Sequence, residues 1–157
     1  MMRLRTRSAD ETRELGRQLS RLLRPGDVVG LVGDLGAGKT TLVQGVAAGL
    51  GVRGRVASPT FLIVHEYRNR LVVYHVDLYR LAPEDVETVG VHELFDEGGV
   101  VLIEWADRAT HLLPPDTLWI RLEIVDDTTR TITLEPRGVR SREIADVLLR
   151  DLAAMRE

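Results

Sequence analysis

Apolar residues recur along this chain in two rhythms, and the switches between them mark its elements. Residues 2–7 alternate weakly, as an edge strand does. Behind Ser8 and Glu11, spaced as a capping box, Leu15, Leu19, Leu22 and Leu23 lay one stripe at helical spacing. Pro25-Gly26-Asp27 stops that helix, and residues 27–32 read as a short buried strand. Leu42, Val43, Val46, Ala47 and Leu50 return to the helical period, which ends at Gly49 and Gly51. Residues 53–60 read as a loop. The β-rich runs 61–67 and 71–79 flank Arg68-Asn69-Arg70 and predict a hairpin. Pro83-Glu84-Asp85 starts a short helix with its acids in the first turn. After Gly98-Gly99, the run Val100-Val101-Leu102-Ile103 is continuously apolar and predicts a strand buried on both faces. Runs 117–125 and 131–135 form a second hairpin around residues 126–129, and Ser141 caps a last helix with Ile144, Val147, Leu148, Leu152 and Met155 on one face.

Helices around a buried central strand, with hairpins that cannot be parallel crossovers, predict an α/β fold. The expected form is a three-layer domain over residues 1–157 whose mixed sheet has a parallel core and antiparallel hairpins, with ligand at the carboxyl ends of the central strands. Composition narrows the class: 44% apolar and 29% charged residues suit a soluble globular protein, and a net charge of −3 disfavours a general nucleic-acid surface. No apolar run reaches membrane-spanning length and the N-terminus is too polar for a secretory signal, so the expected location is the cytoplasm. The absence of cysteine excludes disulfides and thiolate metal sites.

The chemistry concentrates between the second predicted strand and its helix. Gly33-Asp34-Leu35-Gly36-Ala37-Gly38-Lys39-Thr40 fits the phosphate-binding pattern of Gly, four residues, Gly, Lys, then Ser or Thr. In such a loop the backbone N–H groups of Asp34, Leu35, Gly36, Ala37 and Gly38 and of the helix start at Lys39, Thr40 and Thr41 surround phosphate oxygens. The lysine reaches the β and γ phosphates and the Thr40 hydroxyl holds magnesium. Of 21 basic residues 20 are arginine, and the one lysine is Lys39, where a slender point charge must enter the loop.

Nucleotide hydrolysis also needs an acid near the magnesium and something to orient water. Glu104 ends the buried strand and is the candidate to complete the magnesium shell or polarise water; a solvated strand-end glutamate is the plain alternative. Alternation puts His75, Asp77 and Tyr79 on one strand face, where Asp77 either contacts magnesium through water, positions the nucleophile, or simply faces solvent. Thr60, behind Ser58-Pro59, is either a sensor of the γ phosphate or a turn residue. Arg80 and Arg108 are candidate charge-neutralising fingers, while His65, His92 and His111 show no metal-ligand spacing.

Taken in order, residues 33–41, Ser58-Pro59-Thr60-Phe61, residues 75–80, and Leu102-Ile103-Glu104-Trp105 with Arg108 resemble the four signatures of the TsaE family, the bacterial P-loop ATPases of tRNA threonylcarbamoyladenosine biosynthesis. The resemblance covers most of the chain, less clearly after Asp126. It implies a P-loop NTPase-like fold, ATP with magnesium, weak hydrolysis by the chain alone, and partnership with the TsaD and TsaB proteins, so that tRNA is reached only through that complex. It further implies that Lys39 binds phosphate, Thr40 and Glu104 hold magnesium, Asp77 supports hydrolysis and Thr60 belongs to a nucleotide-sensitive loop. Arg137, in the turn Pro136-Arg137-Gly138, is the candidate contact to adenine.

Three other classes compete. A GTPase needs an Asn-Lys-x-Asp motif, which a chain whose only lysine is Lys39 cannot contain. A small-molecule kinase would use Arg137, Arg140 and Arg142 as a lid and would need an acceptor pocket. An ATP-dependent interaction module would bind nucleotide with little turnover.

Overall fold

The computed structural model describes residues 2–52, 64–85 and 90–157. Among the described residues seven strands form one sheet in the order β1-β7-β6-β2-β5-β4-β3. They are β1 (Met2–Thr6), β2 (Val28–Val32), β3 (Val64–Arg68), β4 (Val72–Asp77), β5 (Val100–Glu104), β6 (Leu118–Ile124) and β7 (Arg130–Pro136). β2 runs parallel to both β5 and β6, and β4 parallel to β5. The β3–β4 and β6–β7 hairpins and the β1–β7 pair are antiparallel. The parallel core with antiparallel margins is the expected mixed sheet.

Three helices, α1 (Ala9–Ser20), α2 (Lys39–Gly49) and α3 (Val139–Asp151), cover one face. Their apolar stripes meet Val29, Leu31, Val73, Leu102 and Ile120 in the larger core. Val28, Val32, Val76, Val101 and Ile103 point to the other face, which is covered by two 3-10 segments, Val91–Asp96 and Ala106–Leu112. The third layer is therefore built of tight turns. The segment predicted to start at Pro83 is a single 3-10 turn, Pro83–Asp85. Among the described residues no helix is long and apolar enough to cross a membrane.

Local chemistry explains the helix ends. Ser8 Oγ accepts the Glu11 N–H at 3.1 Å, while the Glu11 carboxylate reaches back one residue further than a capping box requires, to the Arg7 N–H. Ser141 is not the cap expected of it: α3 starts two residues earlier, and Ser141 Oγ accepts the N–H groups of Arg137 and Gly138 from inside the first turn. The capping carboxylate comes from Asp116 in the preceding loop, whose oxygens accept the N–H groups of Arg140 and Ser141 at 2.8 and 2.9 Å. Gly138 admits it, since a Cβ there would overlap the Asp116 carboxylate. Between α1 and α2, side chains at Gly16 and Gly45 would overlap the opposing backbone carbonyls of Leu42 and Arg13. The two helices thus cross at backbone contact, which sets the position of the α2 N-terminus over the sheet.

Candidate functional site

β2 delivers the chain into the phosphate-type loop, and two constraints shape it. A Cβ at Gly33 would lie 2.5 Å from the Leu122 carbonyl oxygen, so only glycine passes between β2 and β6. Gly36 and Gly38 then take φ of 82° and 104°, left-handed values that favour glycine, and turn the chain into α2. Gly38 caps α2 without a side-chain hydrogen bond, so no capping side chain covers the first N–H groups of the helix.

Lys39, first in α2, is 4% exposed. Its Nζ donates to the Gly33 and Asp34 carbonyls at 2.5 and 3.0 Å and lies 4.1 Å from the centroid of the Trp105 ring. Burial pushes its ammonium below the ordinary lysine range, and the charges of Glu104, Asp77, Asp107 and Asp34 oppose that shift.

Glu104 ends β5 at 3% exposure, on the helix-covered face with Leu102. Its Oε1 and Oε2 accept the Thr40 hydroxyl at 3.0 and 3.1 Å. Oε2 also lies 2.5 Å from Nε2 of His75, a fully buried residue on β4. Among the described residues His75 Nδ1 has no hydrogen-bond partner, and Nε2, facing a carboxylate oxygen that can only accept, is the donor. Tyr67 of β3 stacks on this ring at 6.3 Å between centroids; burial, with the Glu104 charge adding to it, pushes its phenol above the ordinary range. Asp77 pairs with Glu104 across the parallel β4–β5 ladder and accepts the Tyr79 N–H through Oδ1 at 2.9 Å. Immediately after Glu104, Trp105 adopts φ 59° and ψ 39°, a left-handed conformation that costs a bulky residue about 1–3 kcal/mol. That turn lays its ring beneath Lys39.

Lys39, Thr40, Asp77 and Glu104 therefore converge at the carboxyl ends of β2, β4 and β5, with Asp34 through Gly38 forming the loop above them and Thr41 in the first turn of α2. Arg108 stacks near Tyr79 and Trp105 and donates to the Leu81 carbonyl at 3.0 Å, while Arg80 is exposed. Thr60 lies outside the described residues. Arg137 is set apart: β7 pairs Pro136 with Leu118 at the amino end of β6, beside Val29, and Arg137 covers the Trp119 ring there. At about 3.3 Å per residue it stands four to five residues, on the order of 13–17 Å, below the start of the phosphate-type loop. Arg140, a second of the three lid candidates, is held at the same end by a bidentate pair with buried Asp27 at 2.9 and 3.0 Å.

The oxygen spacing fits magnesium. Cis ligands of an octahedral ion at about 2.1 Å stand about 2.9 Å apart, and Thr40 Oγ1 and Glu104 Oε1 are 3.0 Å apart. Among the described residues no three His, Asp or Glu side chains converge as a metal cage. Magnesium requires none, because it takes one or two protein oxygens and completes its shell with water and phosphate. His75 and Trp105 are site residues to which the sequence pattern assigns no role. His75 stands two residues before Asp77 on the same strand face, a signal available from alternation alone.

A family model described as "Threonylcarbamoyl adenosine biosynthesis protein TsaE" matches residues 6–132. The tRNA threonylcarbamoyladenosine biosynthesis protein TsaE of Treponema pallidum is 44% identical over 134 residues, 85% of this chain and 99% of that one. Its counterpart from Bacillus subtilis is 39% identical over 150 residues, covering 95% and 94% of the two chains. A crystal structure of Bacillus subtilis YdiB superposes with a TM-score of 0.82 at 37% identity, over 95% of this chain and 94% of that one.

Proposed function

The chain belongs to the TsaE family of threonylcarbamoyl adenosine biosynthesis proteins, and from that premise we propose that it is a magnesium-dependent ATPase acting on the TsaD and TsaB proteins in tRNA threonylcarbamoyladenosine biosynthesis. In this reading it works in the cytoplasm and meets tRNA only through those partners.

One observation carries the proposal: a buried lysine inside a glycine loop stands beside a chain of hydrogen bonds from half-buried Thr40 through buried Glu104 to buried His75. The loop N–H groups and the α2 N-terminus bind the phosphates, because unpaired N–H donors and the helix dipole both favour anions. Lys39 turns its ammonium from the Gly33 and Asp34 carbonyls to the β and γ phosphates, and the Trp105 face beneath it keeps that charge from wandering. Thr40 and Glu104 hold magnesium, which when bound neutralises phosphate charge. His75 occupies Oε2 and so leaves Oε1 directed at the Thr40 side. Asp77, level with Glu104 and close enough for its charge to act on Lys39, orients the attacking water.

A Lys39→Ala variant loses ATP binding by calorimetry, whereas Asp77→Ala or Glu104→Ala retains binding and loses turnover. The reading fails if Lys39→Ala binds ATP with unchanged affinity. Turnover with and without TsaD and TsaB tests the partnership: stimulation supports it, and turnover indifferent to both refutes it. A bare interaction module would bind ATP and stay inert in their presence.

A further inference from the structure

Outside the residues that line the site, one side chain grips the phosphate-type loop from behind. Arg130 opens β7 and pairs with Ile124 of β6 and Thr6 of β1. Its guanidinium makes four hydrogen bonds, all to backbone carbonyls. Nε donates to Ala37 O at 3.1 Å and Nη2 to Gly36 O at 3.2 Å, while Nη1 donates to Asp126 O at 2.7 Å and Thr129 O at 3.0 Å. The turn that it ties to the loop is itself ordered. Asp126 Oδ1 accepts the N–H groups of Thr128 and Thr129 at 3.0 and 2.8 Å, and Val125 N–H closes onto Thr129 O at 3.0 Å.

The consequence follows from peptide geometry. Across a planar trans peptide the C=O and the next N–H point in opposite directions. The Gly36–Ala37 plane is held at both ends, by Arg130 on its carbonyl and by Asp34 O on the Ala37 N–H at 3.0 Å. Among the described residues the Ala37–Gly38 plane is held by Arg130 on its carbonyl, so the Gly38 N–H faces away from Arg130. Gly36 and Gly38, both at positive φ, have neighbouring conformations open to them at little cost, and without an external clamp these planes can turn over. Lysine cannot substitute, because a single ammonium lacks the planar fork that reaches two loops at once.

We propose that Arg130 is a positioning residue for phosphate binding: it clamps the Gly36 and Ala37 carbonyls to the β6–β7 turn and thereby aims the Gly38 N–H at the phosphates of a nucleotide. The inference rests on the phosphate-loop reading of residues 33–40. The test is ATP affinity by calorimetry for the wild type, Lys39→Ala, Arg130→Ala and Arg130→Lys, together with the Gly38 amide resonance of each in nucleotide-free solution. Arg130→Ala weakens ATP binding on the order of tenfold or more and shifts the Gly38 amide. Arg130→Lys, able to reach one loop only, recovers part of the affinity. If Arg130→Ala does not fold, Arg130→Lys carries the test through its weakened affinity and shifted amide. Wild-type affinity in the arginine variants, with Lys39→Ala disabled, overturns the clamp and spares the loop reading. Lost affinity with an unmoved Gly38 amide also overturns it, since the effect would then be one of charge at a distance. A wild type that does not bind ATP overturns the loop reading itself.

Discussion

The His75–Glu104 contact gives a prediction whose size can be worked out. Replacing His75 with Phe keeps a ring in a fully buried position and removes the donor to Glu104 Oε2. A hydrogen bond to a charged group contributes about 1.5–3 kcal/mol, and its loss leaves a carboxylate oxygen buried with less satisfaction. Against this, the wild type already carries an unpartnered buried nitrogen, His75 Nδ1, which the phenyl ring eliminates with a gain of about 1–2 kcal/mol. The single variant is therefore destabilised by about 0–2 kcal/mol, at most roughly 8 °C in Tm for a chain of this size. The sharper quantity is the coupling. Glu104→Gln keeps the volume and can still bond both neighbours, with its amide oxygen on His75 and its NH2 on a rotated Thr40 hydroxyl, but these bonds are neutral. The Nδ1 contribution is the same in both backgrounds and cancels in a double-mutant cycle. What remains is the difference between a charge-assisted and a neutral bond, about 1–2 kcal/mol. Urea unfolding of the four proteins measures it. Additivity within about 0.3–0.5 kcal/mol would refute the charge-assisted bond between His75 and Glu104. The same His75→Phe protein should lower kcat and leave ATP affinity nearly intact, because the lysine and the loop N–H groups are untouched.

Two further outcomes are open to direct measurement. Because Lys39 is the only lysine, 13C-labelled lysine gives one Cε signal, and it should titrate below the ordinary lysine range and move upward when ATP binds; a signal titrating in the ordinary range would contradict its burial. The sign for stability follows: between the folded and unfolded pKa the unfolded chain binds more protons, so the penalty for burying Lys39 is full below the folded pKa and is relieved as pH rises through that window. Gly45→Ala should destabilise by about 1–3 kcal/mol in urea even though alanine is the better helix former by about 1 kcal/mol, because its Cβ would strike the Arg13 carbonyl and force α1 from α2; an unchanged or raised midpoint would refute the backbone contact.

Much of the fold was legible because the chain punctuates it. Pro25-Gly26 and Gly49 bound β2 and α2, and the run from Val100 to Ile103 could hardly be anything but a buried strand. What misled the reading was tertiary. Ser141 is a good cap by type, yet the carboxylate that caps α3 lies on Asp116, in a loop 25 residues before Ser141. A second covering layer was expected, but the elements that build it were not legible, because their buried residues, Val91, Ala106 and Ala109, sit in 3-10 turns too short to show a helical period. Arg137 was placed by its turn, and hairpin register puts that turn level with the amino end of β6, apart from Lys39, Thr40, Asp77 and Glu104. Lys39, Thr40, Asp77 and Glu104 were recoverable because their positions depend on strand ends and on a motif.

That they meet at one point depends on register, which no local pattern states. Leu31, Glu104 and Asp77 lie level on three neighbouring parallel strands, so β2 releases the chain into the glycine loop where β5 and β4 present their carboxylates. A slip of one residue on β5 would turn Glu104 to the face of Val101 and Ile103, away from α2, and lose both Thr40 and His75. With both faces apolar, alternation alone would not resist that slip. Two glycines do. Gly30 faces the second layer with Ala106, Leu113 and Trp119 so near that an added Cβ would stand only 3.1–3.3 Å from them, and a Cβ at Gly99 would stand 2.7–2.8 Å from the Tyr74 ring and the Val72 carbonyl. Each of these positions admits only a residue without a side chain, so β2 and β5 seat in one register. The position of the Glu104 carboxylate against the Thr40 hydroxyl is thus set by two residues that carry no chemistry of their own.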